Sequence, residues 1–246
     1  MTDEHLTQRQ KAKLVIDLFH RLVMHHALWF SEVKHQMGPD AAMETLWAVS
    51  EKSFEIQMKR FARQFDFKMD GDIPAPLLAM EDPARDELMK NISINWLAND
   101  GVWFQAVESE KGMNDAKRCN DSCWAQFSPL EAASIKRVLG LSDAPGLEGL
   151  KRALAYRLYA FINEQSICDE TEDSFVFQMN KCRVQDARKR KNLPDYPCKS
   201  AGLVEYAYFA RTIDPRIETE CIGCPPDSHP DTWFCAWRFL IKQQGI

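Results

Sequence analysis

Apolar residues follow a helical period along the first part of the chain. From about Leu6 to Met37 they recur every three or four residues, which predicts a long amphipathic helix that Gly38-Pro39 ends. The apolar stripe of this helix consists of Leu14, Val15, Leu18, Phe19, Leu22 and Val23. A second helix with its apolar residues on one face is predicted from Asp40.

The same period predicts three more helices further along the chain. Asp82-Pro83 is typical of a helix N-terminus, because aspartate caps free backbone N–H groups and proline fits the first turn. Ser128-Pro129-Leu130-Glu131 is typical of a capping box, so we expect a helix to start at Ser128 and to stop near Gly140. The further helix is predicted by Leu147, Leu150, Leu154, Leu158 and Phe161.

A short pattern recurs within the helical part. Five residues are found again 74 positions later, namely Trp29, Phe30, Val33, Gly38 and Ala42 as Trp103, Phe104, Val107, Gly112 and Ala116. The pattern predicts two similar helical hairpins. The sequence alone leaves three explanations of the recurrence open, which are duplication, a shared packing requirement and coincidence.

After the acidic stretch from Asp169 to Asp173 the apolar period changes to two. Residues 174–180 alternate as a half-buried strand does, and they lead into Cys182. Residues 184–192 and 198–211 predict two short helices. Residues 233–241 alternate again, and we expect residues 216–222 to pair with them in a terminal β-hairpin.

These patterns together predict an α+β fold. We expect a helical N-terminal region packed on a small C-terminal α+β domain with an antiparallel sheet and a terminal β-hairpin. Residues 1–168 form the mainly helical region in this interpretation. Residues 174–246 form the cysteine-rich α+β metal-binding region, and the two parts make one continuous globule.

Charge and composition narrow the class of partners. The 246 residues carry a formal net charge of −5, which gives the chain no electrostatic attraction to nucleic acid or to anionic lipid. The first residues lack the pattern of a signal peptide, and no stretch is apolar enough for a membrane span. We therefore expect a cytoplasmic protein that has no nucleic-acid partner and no membrane partner.

Five of the eight cysteines are concentrated near the C-terminus. Cys221-x2-Cys224 spacing directs two sulfurs to one side of a turn, and Cys235 is expected on the returning strand. Either Cys182 or Cys198 could complete a tetrahedral zinc site, and Glu218 could supply an oxygen instead. The spacing favours zinc over an iron–sulfur cluster, and the alternative to both is a set of ordinary buried thiols.

The cysteine-rich region also resembles a known group of domains. The run Cys182-Arg183, Cys198, Glu218-Thr219-Glu220-Cys221 and Cys235-Ala236-Trp237-Arg238-Phe239 is similar to the C-terminal half of 4-vinyl-reductase-type ligand-binding domains. These relatives include the sensor domains of phenol-responsive transcription activators and, more loosely, L-2-amino-thiazoline-4-carboxylic acid hydrolase-like proteins. As a whole, the chain resembles uncharacterised bacterial cytosolic proteins with a cysteine-rich C-terminus.

The resemblance implies a particular set of zinc ligands. In the phenol sensors the motif positions correspond to Cys198, Glu218, Cys221 and Cys235 of this chain. The hydrolase-like relatives are instead similar at Cys182 and Cys198. The loop between Cys221 and Cys235 is longer here than in the sensors and contains Cys224, which could replace Glu218. Cys182 and Cys224 are therefore alternate ligands.

The sequence leaves three classes of function open. We expect a zinc-binding protein that takes up a small apolar or aromatic molecule and uses the metal structurally. The main alternative is a metal- or cysteine-dependent hydrolase or reductase, whose catalytic residues the sequence does not identify. A homodimer that forms through the N-terminal helices is the third possibility. Cys119, Cys123 and Cys168 are expected to be ordinary thiols.

A run of cationic residues lies beside the cysteines. Its members are Arg183, Arg188, Lys189, Arg190, Lys191 and Lys199. Arginine binds carboxylates and phosphates through paired hydrogen bonds, so this run could hold an anionic ligand group. A solvated helix face is the more common explanation for such a run.

Overall fold

Long helices form most of the first 138 residues in the computed structural model, which describes residues 6–192 and 194–242. By its internal contacts the chain divides into two units, Met1–Met80 and Glu81–Ile246. The division falls inside residues 1–168, which the sequence predicts to be one mainly helical region. Helical residues therefore belong to both units.

The first unit is a helical hairpin followed by short elements. Its elements are α1 (Gln8–Met37), α2 (Pro39–Gln64), β1 (Met69–Asp70), β2 (Ile73–Pro74) and α3 (Ala75–Leu78). Thr7 starts α1 with a capping box, in which its side chain accepts from the Gln10 N–H and the Gln10 side chain accepts from the Thr7 N–H. The predicted apolar stripe of α1 stays solvent-exposed, with Val23 at 66% and Phe19 at 47% exposure.

The second unit combines helices with a four-stranded sheet, and this confirms the α+β fold class. Its helices are α4 (Asp82–Lys111), α5 (Met113–Val138), α6 (Gly146–Leu154), a 3-10 turn (Leu158–Phe161), α7 (Arg183–Lys189) and α8 (Lys199–Ile213). Its strands are β3 (Glu164–Cys168), β4 (Ser174–Lys181), β5 (Glu218–Gly223) and β6 (Cys235–Leu240). Among the described residues, no helix combines the length and the apolar character that a membrane span requires.

The sheet has the order β3-β4-β6-β5, and all its pairings are antiparallel. The predicted terminal hairpin is the pair β5 and β6, with Cys221 opposite Trp237. Helix α8 packs on the inner face, where the Tyr206 ring stacks on Trp237 at 4.8 Å between centroids. Gly202 permits this approach, because a Cβ atom there would lie 2.5 Å from the Trp237 ring.

The two long hairpins repeat each other element by element. Helices α1 and α4 both have 30 residues, and α2 and α5 both have 26. A single glycine with positive φ joins each pair, Gly38 at 93° and Gly112 at 87°. The structure thus confirms the prediction of two similar helical hairpins.

Each hairpin also has an apolar groove, with volumes of about 350 and about 400 Å³. The first groove is lined by His26, Trp29, Phe30, Val33, Ala42, Thr45, Leu46 and Val49. Their counterparts 74 positions later all line the second groove, namely Asp100, Trp103, Phe104, Val107, Ala116, Cys119, Asn120 and Cys123. The similarity therefore extends from the backbone to the positions that form each groove.

The predicted helix start at Ser128 is wrong. Helix α5 runs through Ser128 and Pro129 without a break, although proline inside a helix removes one backbone hydrogen bond. Glu131 cannot close a capping box, because its carboxylate accepts hydrogen bonds from Arg157 at 2.9 Å and from the Leu158 N–H at 2.8 Å. The single helix expected over residues 147–161 is also interrupted, because α6 ends at Leu154 and the backbone of Arg157 is extended.

Candidate functional site

Four of the five clustered cysteines line one cavity within the second unit. Cys182 follows β4, Cys198 precedes α8, Cys224 follows β5, and Cys235 starts β6. Each therefore lies where a strand or loop meets another element, and the sheet order brings these ends together. The cavity has a volume of about 750 Å³ and is also lined by residues of α4, α7 and α8.

The thiol of Cys224 lies between two others. The thiols of Cys198 and Cys235 are close enough to it to shift its pKa. The backbone holds this arrangement, because the N–H of Lys199 donates to the carbonyl oxygen of Pro225 at 2.9 Å. These two residues directly follow Cys198 and Cys224, so the two chain segments are fastened to each other beside the thiols.

Cys198 has further polar partners and lies at a helix N-terminus. The side-chain amide of Gln185 donates to its sulfur at 2.9 Å, and the sulfur lies 3.1 Å from the carbonyl oxygen of Tyr196. Cys198 immediately precedes the 15-residue helix α8, whose N-terminal backbone dipoles favour negative charge.

The contacts among the thiols shift their acidities in opposite directions. The neighbouring Cys224 thiol lowers the pKa of the Cys198 thiol. The Cys198 thiol, together with that of Cys235, raises the pKa of Cys224. Burial raises the pKa of Cys182 to about 12. Cys198 is therefore the most acidic of these three thiols.

The predicted zinc quartet of Cys198, Glu218, Cys221 and Cys235 does not come together. Side chains alternate between the faces of a strand, and Glu218, three positions before Cys221, projects from the solvent face of β5. Its carboxylate pairs there with Lys242 at 2.6 Å. Cys221 faces the core but does not line the cavity.

The residues present do not form a ready zinc site. Within residues 6–192 and 194–242, no three Cys, His, Asp or Glu side chains are arranged to hold a metal ion. The sulfurs of Cys182, Cys198, Cys224 and Cys235 share one wall, but no ion site is defined among them. Zinc and the less favoured iron–sulfur cluster stay predictions.

The other three cysteines lie elsewhere. Cys119 and Cys123 line the groove of the second hairpin, and Cys168 lies on the edge strand β3, where burial raises the pKa of its thiol. None of the three lines the 750 Å³ cavity.

Aromatic side chains form a large part of the cavity wall. They are Phe104, Trp124, Tyr159, Tyr196 and Tyr206. The rings of Phe104 and Tyr196 meet edge to face at 5.2 Å, and this contact fixes the loop before Cys198 on helix α4. Phe104 and Trp124 also line the groove of the second hairpin, so the groove and the cavity share part of their wall.

Four members of the basic run line the same cavity. They are Arg183, Arg188, Arg190 and Lys191. Arg188 is oriented by the carbonyl oxygen of Pro194, to which its Nε donates at 2.5 Å. The two other members have different contacts, since Lys189 lies 4.4 Å from the ring centroid of Phe234 and Lys199 pairs with Asp227 at 2.8 Å. His229, from the same C-terminal loop, lies 2.9 Å from a carboxylate oxygen of Asp195.

A buried ionic triad adjoins the cavity, and no sequence pattern predicted it. The fully buried Arg157 donates to Glu131 at 2.9 Å and to Glu205 at 2.7 Å. Glu205 also lines the cavity. These three residues come from separate helices and a turn, so no short spacing in the sequence reveals them.

The fold and the cavity define the chain as an α+β protein with a cysteine-lined cavity in its C-terminal unit. Residues 79–241 match a family that is described as a family of unknown function, DUF6125. The chain therefore belongs to this family, and the matched segment includes every residue that lines the cavity. No curated protein matches the chain, and no solved structure matches it. The resemblance to 4-vinyl-reductase-type domains stays a prediction.

Proposed function

We propose that the cysteine-lined cavity binds a small molecule with an aromatic or apolar body and an anionic group. The observation that carries this proposal is the combination of aromatic walls and four cationic side chains around one cavity of about 750 Å³. Cavities of roughly 300–1,000 Å³ with mainly apolar walls and a few polar groups are typical of small-molecule sites.

The charge balance of the lining supports an anionic ligand group. Three carboxylates also line the cavity, but two of these carboxylates offset little of the positive charge of the four cations. Glu205 is already paired with the buried Arg157. Burial raises the pKa of Asp100, so its charged form is disfavoured relative to an exposed aspartate. Glu108 is the third carboxylate, so the lining as a whole favours a negatively charged ligand group.

A buried donor adds to this preference. The Asn163 side chain lines the cavity, and its Nδ2 has no hydrogen-bond partner among the described residues. The Oδ1 atom of the same side chain accepts from the backbone N–H of Arg183 at 2.9 Å, which orients the amide. Because a buried donor without a partner costs free energy, a ligand oxygen that accepts from Nδ2 would stabilise the complex.

The test is a fluorescence titration of the full-length protein with two probes. Anilinonaphthalene sulfonate is aromatic and anionic, whereas phenylnaphthylamine has a similar aromatic body and no charge. We expect Arg183→Ala to weaken binding of the sulfonate roughly tenfold, as loss of one charge-assisted hydrogen bond does. Binding of the neutral probe should change little.

Arg211→Ala is the matched control, because Arg211 is an exposed arginine on α8 that does not line the cavity. It should leave the affinities for both probes as in the wild type. Equal losses in the Arg183 and Arg211 variants, or no loss in either, would contradict the proposal.

A further inference from the structure

We propose that Cys198 and Cys224 are a dithiol pair that is oxidised to a disulfide by a small organic disulfide carrying carboxylates. This proposal rests on the proposed function for its preference for an anionic reagent. The thiol pairing itself depends on the geometry of the cavity wall alone.

The first observation is that the two cysteines share a cavity and that the backbone holds their chain segments together. Cys198 and Cys224 both line the cavity. The bond from Lys199 N–H to the Pro225 carbonyl oxygen, at 2.9 Å, links the residues that follow each cysteine. A disulfide needs Cα atoms within about 7 Å, and the backbone bond between the adjacent residues keeps the two chain segments close together.

The second observation is the difference in access and environment between the two thiols. Cys198 is partly exposed, accepts a hydrogen bond from the Gln185 amide at 2.9 Å and lies at the N-terminus of α8. Cys224 is 1% exposed. We therefore expect Cys198 to react first with an incoming reagent and Cys224 to react second.

The reaction has two balanced exchange steps. The Cys198 thiolate attacks one sulfur of the reagent, the reagent S–S bond breaks, and one small thiolate leaves and takes up the proton that Cys198 released. Cys224 then loses its proton and attacks the Cys198 sulfur of the mixed disulfide. The second small thiolate leaves with that proton. Two protein thiols are oxidised, and one small disulfide is reduced to two thiols.

The charge series of the reagents separates this proposal from the proposed function. Oxidised glutathione carries carboxylates, hydroxyethyl disulfide is neutral and cystamine is cationic. The reduced full-length protein is incubated with each reagent, quenched with acid, alkylated and mapped by mass spectrometry. We expect a disulfide between Cys198 and Cys224, formed about tenfold faster with oxidised glutathione than with cystamine.

Three variants assign the steps. Cys224→Ser should stop at the mixed disulfide on Cys198, and Cys198→Ser should lose the fast reaction. Cys221→Ser is the matched control and should behave as the wild type, because Cys221 does not line the cavity. Mapping of the wild-type protein requires no variant, so a variant that fails to fold leaves the test intact.

The outcomes distinguish the two proposals. If all three reagents produce the Cys198–Cys224 disulfide at equal rates, the dithiol pair stands and the preference for an anion is wrong. The dithiol proposal is overturned if the disulfide maps to Cys182 or Cys235 or does not form. It is also overturned if purified protein holds a metal ion that protects Cys198 and Cys224 from alkylation.

Discussion

Asp214 links the end of α8 to the turn before β5. Its side chain is fully buried, and the carboxylate accepts hydrogen bonds from the backbone N–H of Gly146 at 2.8 Å and from the Arg216 guanidinium at 2.7 Å. The bonds from Arg216 lower the pKa of Asp214 from 3.8 to about 2. Because the folded state binds this proton more weakly than the unfolded state, the charged form stabilises the fold.

This carboxylate makes stability depend on pH in a defined interval. Its contribution is fully present above about pH 4 and is lost as the pH falls toward about 2, and it amounts to roughly 2 kcal/mol. We expect Asp214→Asn to lower the free energy of unfolding at neutral pH by about that amount and to flatten its decline between these pH values. Urea unfolding across the pH series measures both effects.

Asp143→Asn provides the comparison for Asp214, because Asp143 is exposed. It should leave the dependence of the unfolding free energy on pH as in the wild type. An Asp214→Asn protein with the same pH dependence as the wild type would show that Asp214 does not provide this stabilisation.

Two segments of this chain have the spacing of a capping box, but only one of them starts a helix. Thr7 and Gln10 form a capping box at the start of α1. Ser128 and Glu131 have the corresponding spacing but lie inside α5, where the Ser128 hydroxyl is buried and has no hydrogen-bond partner among the described residues. The local sequence does not separate the two cases, because the difference comes from Arg157, which binds Glu131 from 26 positions away.

The two motifs therefore predict opposite effects of substitution. We expect Thr7→Ala to lower the free energy of unfolding of its helix by about 1 kcal/mol, as loss of a cap does. Ser128→Ala should leave stability unchanged or raise it, because it removes a buried hydroxyl that has no partner. Denaturation followed by circular dichroism measures both variants. A loss of about 1 kcal/mol in Ser128→Ala would mean that a helix starts there after all.

The elements of the C-terminal unit show what a sequence can and cannot specify. The strand over residues 174–180 and the hairpin of β5 and β6 were predictable, since alternation and a turn between them are local signals. Strand β3 was missed because Glu164, Gln165 and Ser166 show no apolar alternation. The strand prediction already implied that Glu218 and Cys221 of the predicted zinc quartet face opposite sides of β5, since residues three apart on one strand do so.

The chemistry of the cavity was predictable only in part. Four of the six candidate metal ligands line it, because cysteines at element ends converge when a sheet forms. The contribution of α4 and α5 was not predictable, since Phe104 and Trp124 read as ordinary core residues of the helical region. Long-range packing, and not local pattern, determines that these helices close the cavity.

The start of the family match and the start of the second unit nearly coincide in the chain. The family match begins at residue 79, and the second compact unit begins at Glu81. We therefore expect a shortened chain of residues 81–246 to fold cooperatively and to bind the anionic probe as the full-length protein does. Thermal unfolding and the same titration measure this, and loss of either property would show that residues 1–80 are needed for the second unit.

The same shortened chain tests the predicted homodimer. Helix α1 exposes large apolar residues, including Ile16 at 71% and Trp29 at 62% exposure, and such surfaces are typical of association sites. We expect the full-length protein to be dimeric and residues 81–246 to be monomeric in light scattering. Equal association states in both would show that the N-terminal helices do not form the dimer.

The repeated hairpin gives this chain an internal structural pair. The helices match in length to the residue, and each position that lines the first groove has a counterpart that lines the second. The carboxylate of Asp100 corresponds to the imidazole of His26, and Cys119 corresponds to Thr45. Substitution rates at such paired positions can be compared across relatives. Positions that are constrained in both hairpins are required for hairpin folding, whereas positions constrained only in the second hairpin are required for the cavity.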